Sequence, residues 1–316
     1  MSNAPHALLI LPRLYVQNAN AISSPLTWGF PAPSAFTGFV HALGLRAASE
    51  FDLRLEGVGI VCHRFEPQVF QPAGRRTRVF SLSRHPVDKD GKSAAIVEEG
   101  RAHFEVSLVI GISGDELFDG AEVRSEIATR LQSLAGGLRL AGGSILPNPK
   151  GRHYPPRLQL WPEDAAEARA ESRKLRRQLL PGFALIERAQ LLAEHGPNAL
   201  EALLDASRLN FEPPAPAPDP QTLQNADWHL RRKSGWLVPV PLGYAAVSPL
   251  YSAGEVANAR DNQTPFRFVE SLLGLGEWLS PHRIDNLLDL LWYHRADPVA
   301  GLYRCSNDFS PLETTA

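Results

Sequence analysis

Residues 14–45 read LYVQNANAISSPLTWGFPAPSAFTGFVHALGL and contain no Lys, Arg, Asp or Glu, with Arg13 and Arg46 closing the stretch at either end. In a chain with 21% charged residues, a neutral run of this length marks burial or a contact surface. Its two ends read as buried elements. Residues 7–16, ALLILPRLYV, predict a buried strand with Pro12 at a bend or edge position. Pro31 and Ser34 introduce AFTGFVHALGL, where Phe36, Phe39, Val40 and Leu43 recur at helical spacing and predict a helix. The middle is less apolar. Gln17, Asn18, Asn20, Ser23, Ser24 and Thr27 offer neutral donors and acceptors, and Trp28, Phe30 and Phe36 offer flat faces. Such a set between a strand and a helix suits unpaired nucleobases, which present hydrogen-bonding edges and π-faces rather than charge.

Outward from this stretch, residues 57–65 (GVGIVCHRF) predict a second strand. Residues 94–112 predict a third, with Phe104, Val106, Leu108 and Ile110 on one face. Residues 116–134 predict a helix with Leu117, Val123, Ile127, Leu131 and Leu134 on its apolar side. LRLAGGSILP then reads as a strand broken by a glycine pair. The order strand–helix–strand, excursion, strand–helix–strand is the split βαβ pattern of ferredoxin-like and RNA-recognition folds. We therefore expect an α+β class, a modified ferredoxin-like or RNA-recognition fold whose sheet has one face under two helices and the other free for single-stranded RNA. The expected organisation is a core over 1–147 with an inserted β-hairpin arm at about 67–95, a helical and Pro-rich insertion over 148–230, and a helical or irregular C-terminal extension over 231–316 that packs back on the core. Within these, 163–206 reads as helix-prone and 212–225 (EPPAPAPDPQTLQN) as an extended linker. GWLVPVPLGY reads as a short strand. Helices are expected through Phe268, Val269, Leu272 and Leu273, and from Pro281 to His294.

The bulk composition narrows the class. At 316 residues and 44% hydrophobic content the chain can bury a large core. No segment is apolar enough for a bilayer span, and the N-terminus lacks a basic lead and a small-residue cleavage site. Cys62 and Cys305 carry no metal spacing, and a reducing cytoplasm is the expected compartment. A net charge of −2 argues against a uniformly basic coat, so nucleic acid would be held by local basic segments.

Two such segments stand out. From Pro67 to Val87 there are four arginines, Arg75, Arg76, Arg78 and Arg84, and no acid; a projecting hairpin with this content can clamp a phosphate backbone, and a solvated loop is the plain alternative. From Leu138 to Leu160 a second acid-free stretch holds Arg139 and the run Ala141-Gly142-Gly143-Ser144. Paired glycines let backbone N–H groups approach a phosphate, although a tight turn is the commoner meaning and no Walker loop follows. His41, His63, His85, His103 and His153 lie near these segments and motivate a metal-independent ribonuclease as the competing activity, but no pair has metal-ligand spacing and core or surface roles weigh more for each. Glu98 and Glu99 are adjacent and point to opposite faces of a strand. Trp236 and Trp292 read as core, and Trp28 as the stacking candidate, with a plug against the core as its alternative. Ser280 before Pro281 reads as a helix N-cap.

The strings QNANAISSPLTWGFP (17–31), FTGFVHAL (36–43), GVGIVCHRFE (57–66), QPAGRRTRVF (71–80), AAIVEEGRAHFEVSL (94–108), LRLAGGSILP (138–147), LLPGFALI (179–186), NFEPP (210–214), GWLVPVPLGY (235–244) and GEWLSPHRI (276–284) resemble, in order, a Cas-five-class subunit of type I-F CRISPR surveillance complexes, the second Csy protein family. The resemblance is weakest over 150–178 and 215–230. It implies a RAMP-type RNA-recognition fold with an inserted arm and no cofactor or catalytic residue. It implies as partners the CRISPR RNA, held by its 5′ handle, the large subunit of the complex in a heterodimer and the backbone subunit, and it allows contact with target double-stranded DNA. The expected RNA-binding set is Gln17, Asn18, Asn20, Ser23, Ser24 and Trp28 in the neutral loop, Arg75, Arg76 and Arg78 in the arm, and Arg139, Gly142, Gly143 and Ser144 in the glycine segment. A pure protein adaptor, in which 17–45 docks a subunit instead of RNA, is the third reading.

Overall fold

The computed structural model describes residues 4–84, 87, 90–93, 96–194, 198–214, 227–233 and 235–309. Among them, one antiparallel sheet of eleven strands contains β1 (Ala7–Asn20), β2 (Arg54–Pro67), β3 (Arg101–Ser113), β4 (Arg139–Leu140), β5 (Gly143–Leu146), β6 (Arg157–Leu160), β7 (Phe183–Glu187), β8 (Trp236–Ala246), β9 (Val269–Leu279), β10 (Trp292–Asp297) and β11 (Leu302–Asn307). The spatial order is β4-β5-β1-β3-β2-β7-β9-β8-β11-β10, with β6 also on β1. Over 1–147 the hairpin after the second helix lies beside the first strand, which lies beside the third and then the second. The sheet then curls round, because Trp292 of β10 pairs with Val58 of β2 and closes a ring through β7, β9, β8 and β11. Trp292 is fully buried, and its indole N–H donates to the Leu185 carbonyl at 2.8 Å.

Helices α1 (Pro33–Ala47) and α2 (Ala121–Gly136) cover one face. Phe36, Phe39, Val40 and Leu43 of α1, with Ile127 and Leu131 of α2, meet Leu9, Leu11, Phe104, Val106, Leu108 and Ile110. The other face is not free, contrary to expectation. Leu8, Ile10, Val61 and Val109 are buried under Ala168 and Leu175 of α3 (Ala165–Leu175), Leu179, and Ile284, Leu287, Leu290 and Leu291. The physical reason is in β1 itself. ALLIL is a continuous apolar run, not an alternation, so both of its faces need cover, and each of these side chains gains about 1.5–3 kcal/mol from burial.

β1 carries two irregularities, between Leu11 and Leu14 and between Val16 and Ala19. The first lies where the strand's other neighbour changes from β6 (Ala7–Ile10) to β5 (Tyr15–Gln17). Pro12 falls in this gap, where no ladder hydrogen bond is asked of it.

The C-terminal half departs most from the sequence reading. The segment expected to be helical through Phe268, Val269, Leu272 and Leu273 is largely strand β9, with Phe268 just before it. Gly276 lies where a Cβ would come within 2.6 Å of the Val240 side chain on β8, an approach that only a strand partner demands. The expected helix from Pro281 to His294 is instead two short 3-10 turns, Pro281–Arg283 and Leu287–Leu290, followed by β10. Side chains from elsewhere take the backbone groups that a helix would have used. Ser172 Oγ accepts from the Leu287 N–H, and Asn307 Nδ2 donates to the Asp289 and Leu291 carbonyls. Ser280 flanks the first turn without a side-chain capping bond. The 163–206 region is helical in part, with α3, α4 (Ala189–Glu194) and α5 (Ala199–Ser207), but its Phe183–Glu187 forms β7, the link between β2 and β9. The linker expected over 212–225 lies mostly outside the described residues, as does His85. No described helix is long and apolar enough to cross a membrane.

Candidate nucleic-acid interface

The second irregularity of β1 shapes the candidate site. Asn18 takes φ 57°, a left-handed conformation that Asn tolerates better than most residues. Its neighbours hold it there. The Asn18 N–H donates to His103 Nδ1 at 3.1 Å, its carboxamide oxygen accepts from Gln68 Nε2 at 2.6 Å, and Gln68 also reaches His103 Nε2 at 3.0 Å. Two residues on, Asn20 closes a local turn on Ile22 through its side chain, accepting from Ile22 N and donating to Ile22 O. Asn18 and Asn20 are exposed and Gln17 is half-buried.

The glycine segment docks against this bend. Gln17 is in register with Ser144 of β5, which is in register with Arg139 of β4. The three side chains therefore share one face of adjacent strands. The Asn20 N–H donates to the Ala141 carbonyl at 2.9 Å. Ala141 and Gly142, at φ 49° and 77°, make the two-residue turn of the β4–β5 hairpin. Gly143 is buried, and a Cβ there would come within 2.8 Å of the Gln17 carbonyl oxygen. This glycine pair is thus a tight turn packed on β1. Gly143 is removed from the ligand-facing set, while Gly142 and Arg139 stay exposed and are tied together, with Arg139 Nη1 donating to the Gly142 carbonyl at 3.2 Å.

Short antiparallel ladders build the arm, Val69–Phe70 on Val79–Phe80 and Leu82–Arg84 on Ile96–Glu98. Its root packs on the neutral loop. Trp28 meets Phe80 edge to face at 5.3 Å, and Gly100, beside Ile22 and Phe80, accepts through its carbonyl from the Ala21 N–H at 2.8 Å. Arg75, Arg76 and Arg78 lie in the turn beyond this root, exposed, and no ion pair holds any of them among the described residues. The turn is closed by Gln71 Nε2 donating to the Arg75 carbonyl. Trp28 is 62% exposed, so its ring is not a plug. Ser23 and Ser24, in contrast, spend their hydroxyls on Thr27 Oγ1, at 3.0 and 2.7 Å, and Ser24 is buried. Phe36 is buried, and Phe30 stacks on it at 5.5 Å, so neither offers the open face expected of it. Trp236, read as core, is 56% exposed.

The neighbouring histidines are committed to structure. The Pro181 carbonyl can only accept, so His63 Nδ1 carries the proton and donates to it at 2.6 Å; Nε2 then accepts from Ser107 Oγ at 2.7 Å. Burial pushes His63 down to about 4. Ser107 Oγ in turn accepts from the Arg13 N–H at 3.0 Å. The Arg13 side chain pairs with Glu105 at 3.1 Å and donates to the Leu180 carbonyl at 2.9 Å. Burial also pushes the adjacent Cys62 thiol up to about 12, so it is protonated. Among the described residues no cluster of His, Cys, Asp or Glu is arranged to hold a metal ion. Sequence reasoning named His103 only as a candidate ribonuclease group and missed Gln68; together they fix the bend of Asn18. Nothing local at either position announces a partner some 50–85 residues away.

The structure therefore gathers the neutral loop, the arm root and the glycine turn at one end of the strands, where β1 and β2 finish and β3 begins. All three segments lie inside a span that a known protein family matches. The sequence model of the CRISPR-associated protein family Cas_Csy2 matches residues 9–305. A curated relative, CRISPR-associated protein Csy2 of Pseudomonas aeruginosa (strain UCBPP-PA14), is 57% identical over 314 residues, covering 96% of this chain and 95% of its own length. With a matched span that reaches every strand of the sheet and a relative 57% identical over 96% of the chain, this chain belongs to the Csy2 family of CRISPR-associated proteins.

Proposed function

We propose that this chain is a non-catalytic RNA-binding subunit of a type I-F CRISPR effector complex, with a RAMP-type core that holds the 5′ handle of the CRISPR RNA. In this reading it pairs with the large subunit near the site of DNA entry, abuts the backbone subunit and works in the cytoplasm. The observation that carries the reading is the convergence of an exposed, braced indole (Trp28), two exposed amides (Asn18, Asn20) and three exposed arginines, with no ion pair among the described residues, at one end of the sheet's strands. Amides and a ring read bases, and guanidinium groups hold phosphates, which is the division of labour expected for a single strand. Gln17, Ser144 and Arg139 continue this surface across β1, β5 and β4. A role in cutting repeat RNA has less support, because His63 and His103 are both occupied in holding strands together.

The experiment is handle binding by the assembled complex as a function of salt. Replacing Arg75, Arg76 and Arg78 together should flatten the slope of log K against log salt by about 2, at roughly 0.7 per single-strand phosphate contact. An unchanged slope would contradict the assignment of the arm. Incubation with repeat RNA without divalent metal should give no defined product; a discrete cut would establish the ribonuclease instead.

A further inference from the structure

A cavity of about 510 Å³ opens beside the neutral loop and was not foreseen in the sequence. Its walls include Trp28, Phe30, Phe65, Phe183, Trp236 and Trp278. It lies where the ring of β2, β7, β9 and β8 meets the loop, so its two sides come from residues some 200 positions apart. Phe30 and Trp278 stand edge to face at 4.9 Å within it. Trp28 and Trp236 remain more than half exposed, yet each is braced by one edge-to-face contact, Trp28 by Phe80 at 5.3 Å and Trp236 by Phe183 at 5.4 Å. Large apolar rings held rigidly and left open to solvent mark a site awaiting a partner.

The chemistry of the walls narrows that partner. Among the described residues Arg64 is the one charged residue in the lining, and its guanidinium is tied to Glu66 at 2.8 Å. Cys62 and His63 also line the cavity and are both uncharged near neutral pH. Among the described lining residues an anion finds no cation without a carboxylate partner, and a cation finds no carboxylate. What fits is a flat, neutral, aromatic group, and Ser23, Trp28 and Gly29 make the cavity continuous with the loop assigned above to base recognition.

We propose that this aromatic cleft receives one nucleobase turned out of the bound guide strand, stacked on the exposed Trp236 indole. The proposal rests on the RNA-binding reading and adds to it one extruded base and Trp236 as its contact. Stacking of this kind is sequence-tolerant, so the cleft sets where the strand bends while neighbouring amides set which bases are accepted.

The test uses the assembled complex loaded with guide RNAs carrying 2-aminopurine at one repeat-derived position at a time. One position should be strongly quenched in the native protein, relieved by Trp236→Ala and restored by Trp236→Phe, with the other positions unmoved. Trp236→Ala should also weaken handle binding by about tenfold, within the range of one lost base–aromatic stack. If no position responds to Trp236→Ala while Trp28→Ala and the arginine substitutions still weaken binding, the cleft proposal fails and the RNA-binding reading stands. Indifference to all of these substitutions removes the RNA-binding reading with it. Should Trp236→Ala release a protein subunit and leave every 2-aminopurine signal unchanged, the cleft docks protein and the proposal is overturned. The native quenching profile is read without any substitution, so a misfolded Trp236→Ala does not rescue the idea: a profile with no quenched position contradicts it.

Discussion

The hub around Arg13 and the rim around Trp28 are both built on β1, yet they use their polar groups in opposite ways. In the hub, Arg13, Glu105, Ser107, His63 and the Leu180 and Pro181 carbonyls satisfy one another within 3.1 Å. They knit the first irregularity of β1 to the segment that enters β7. At the rim, three guanidinium groups and an indole are exposed, while the chain around them is fixed by bonds of Asn18 to Gln68 and His103, of Asn20 to the Ala141 carbonyl and of Gln71 to the Arg75 carbonyl. The difference teaches where to look for function. Polar groups that satisfy each other build the scaffold, and polar groups held in place but left unmatched wait for a ligand.

Substitutions should separate the two regions, beginning with the core they share. Trp292→Ala empties the centre of the strand ring and orphans the Leu185 carbonyl; chemical denaturation should show a loss of about 3–5 kcal/mol. An unaffected midpoint would mean that the ring is not the structural centre. The hub should next reveal itself through pH. His63 has its folded pKa near 4 against about 6.5 in the unfolded chain, so the unfolded state binds the extra proton between these values. Its contribution is therefore intact above about pH 6.5 and falls away as pH drops to about 4, by about 3 kcal/mol. The difference between the native protein and His63→Gln, measured across that window, should narrow on acidification. A constant difference would place His63 in solvent and dissolve the hub. Ser107→Ala should cost about 1–3 kcal/mol at neutral pH, because the Arg13 N–H loses its acceptor in a buried place.

Rim substitutions should leave stability nearly alone and change binding. Trp28→Ala is expected to cost about 1–3 kcal/mol of handle affinity, and Arg75→Ala alone to shift the unfolding midpoint by no more than about 0.5 kcal/mol equivalent. If the rim variants unfold the protein instead, the contrast between the two regions disappears.

Legibility in the sequence followed the same division. Over 7–147 the periodicity of Phe36, Phe39, Val40 and Leu43, and the alternation of Phe104, Val106, Leu108 and Ile110, correspond to α1 and β3, because local spacing and tertiary burial agree there. Beyond 260 they conflict. Leu287, Leu288 and Leu291 recur at helical spacing, but Ser172 and Asn307 capture their backbone groups, and nothing local announces those partners. The cover over Leu8 and Ile10 was readable in principle from the unbroken ALLIL run. In the candidate site, Trp28 and the arm arginines were legible as aromatic and charge patterns. The roles of Ser24 and Gly143 were not, since a hydroxyl bonded to Thr27 and a glycine against the Gln17 carbonyl look identical in sequence to free ones. Trp236 misled for a related reason: apolar neighbours in sequence are strand partners here, and the ring itself faces the cleft.

The most direct test is photocrosslinking within the assembled complex, with 4-thiouridine placed singly along the repeat-derived 5′ end of the guide, followed by identification of the crosslinked peptides. The account predicts adducts in 17–30 and 71–80 of this chain. Adducts confined to other subunits, or to parts of this chain away from that end of the sheet, would contradict it.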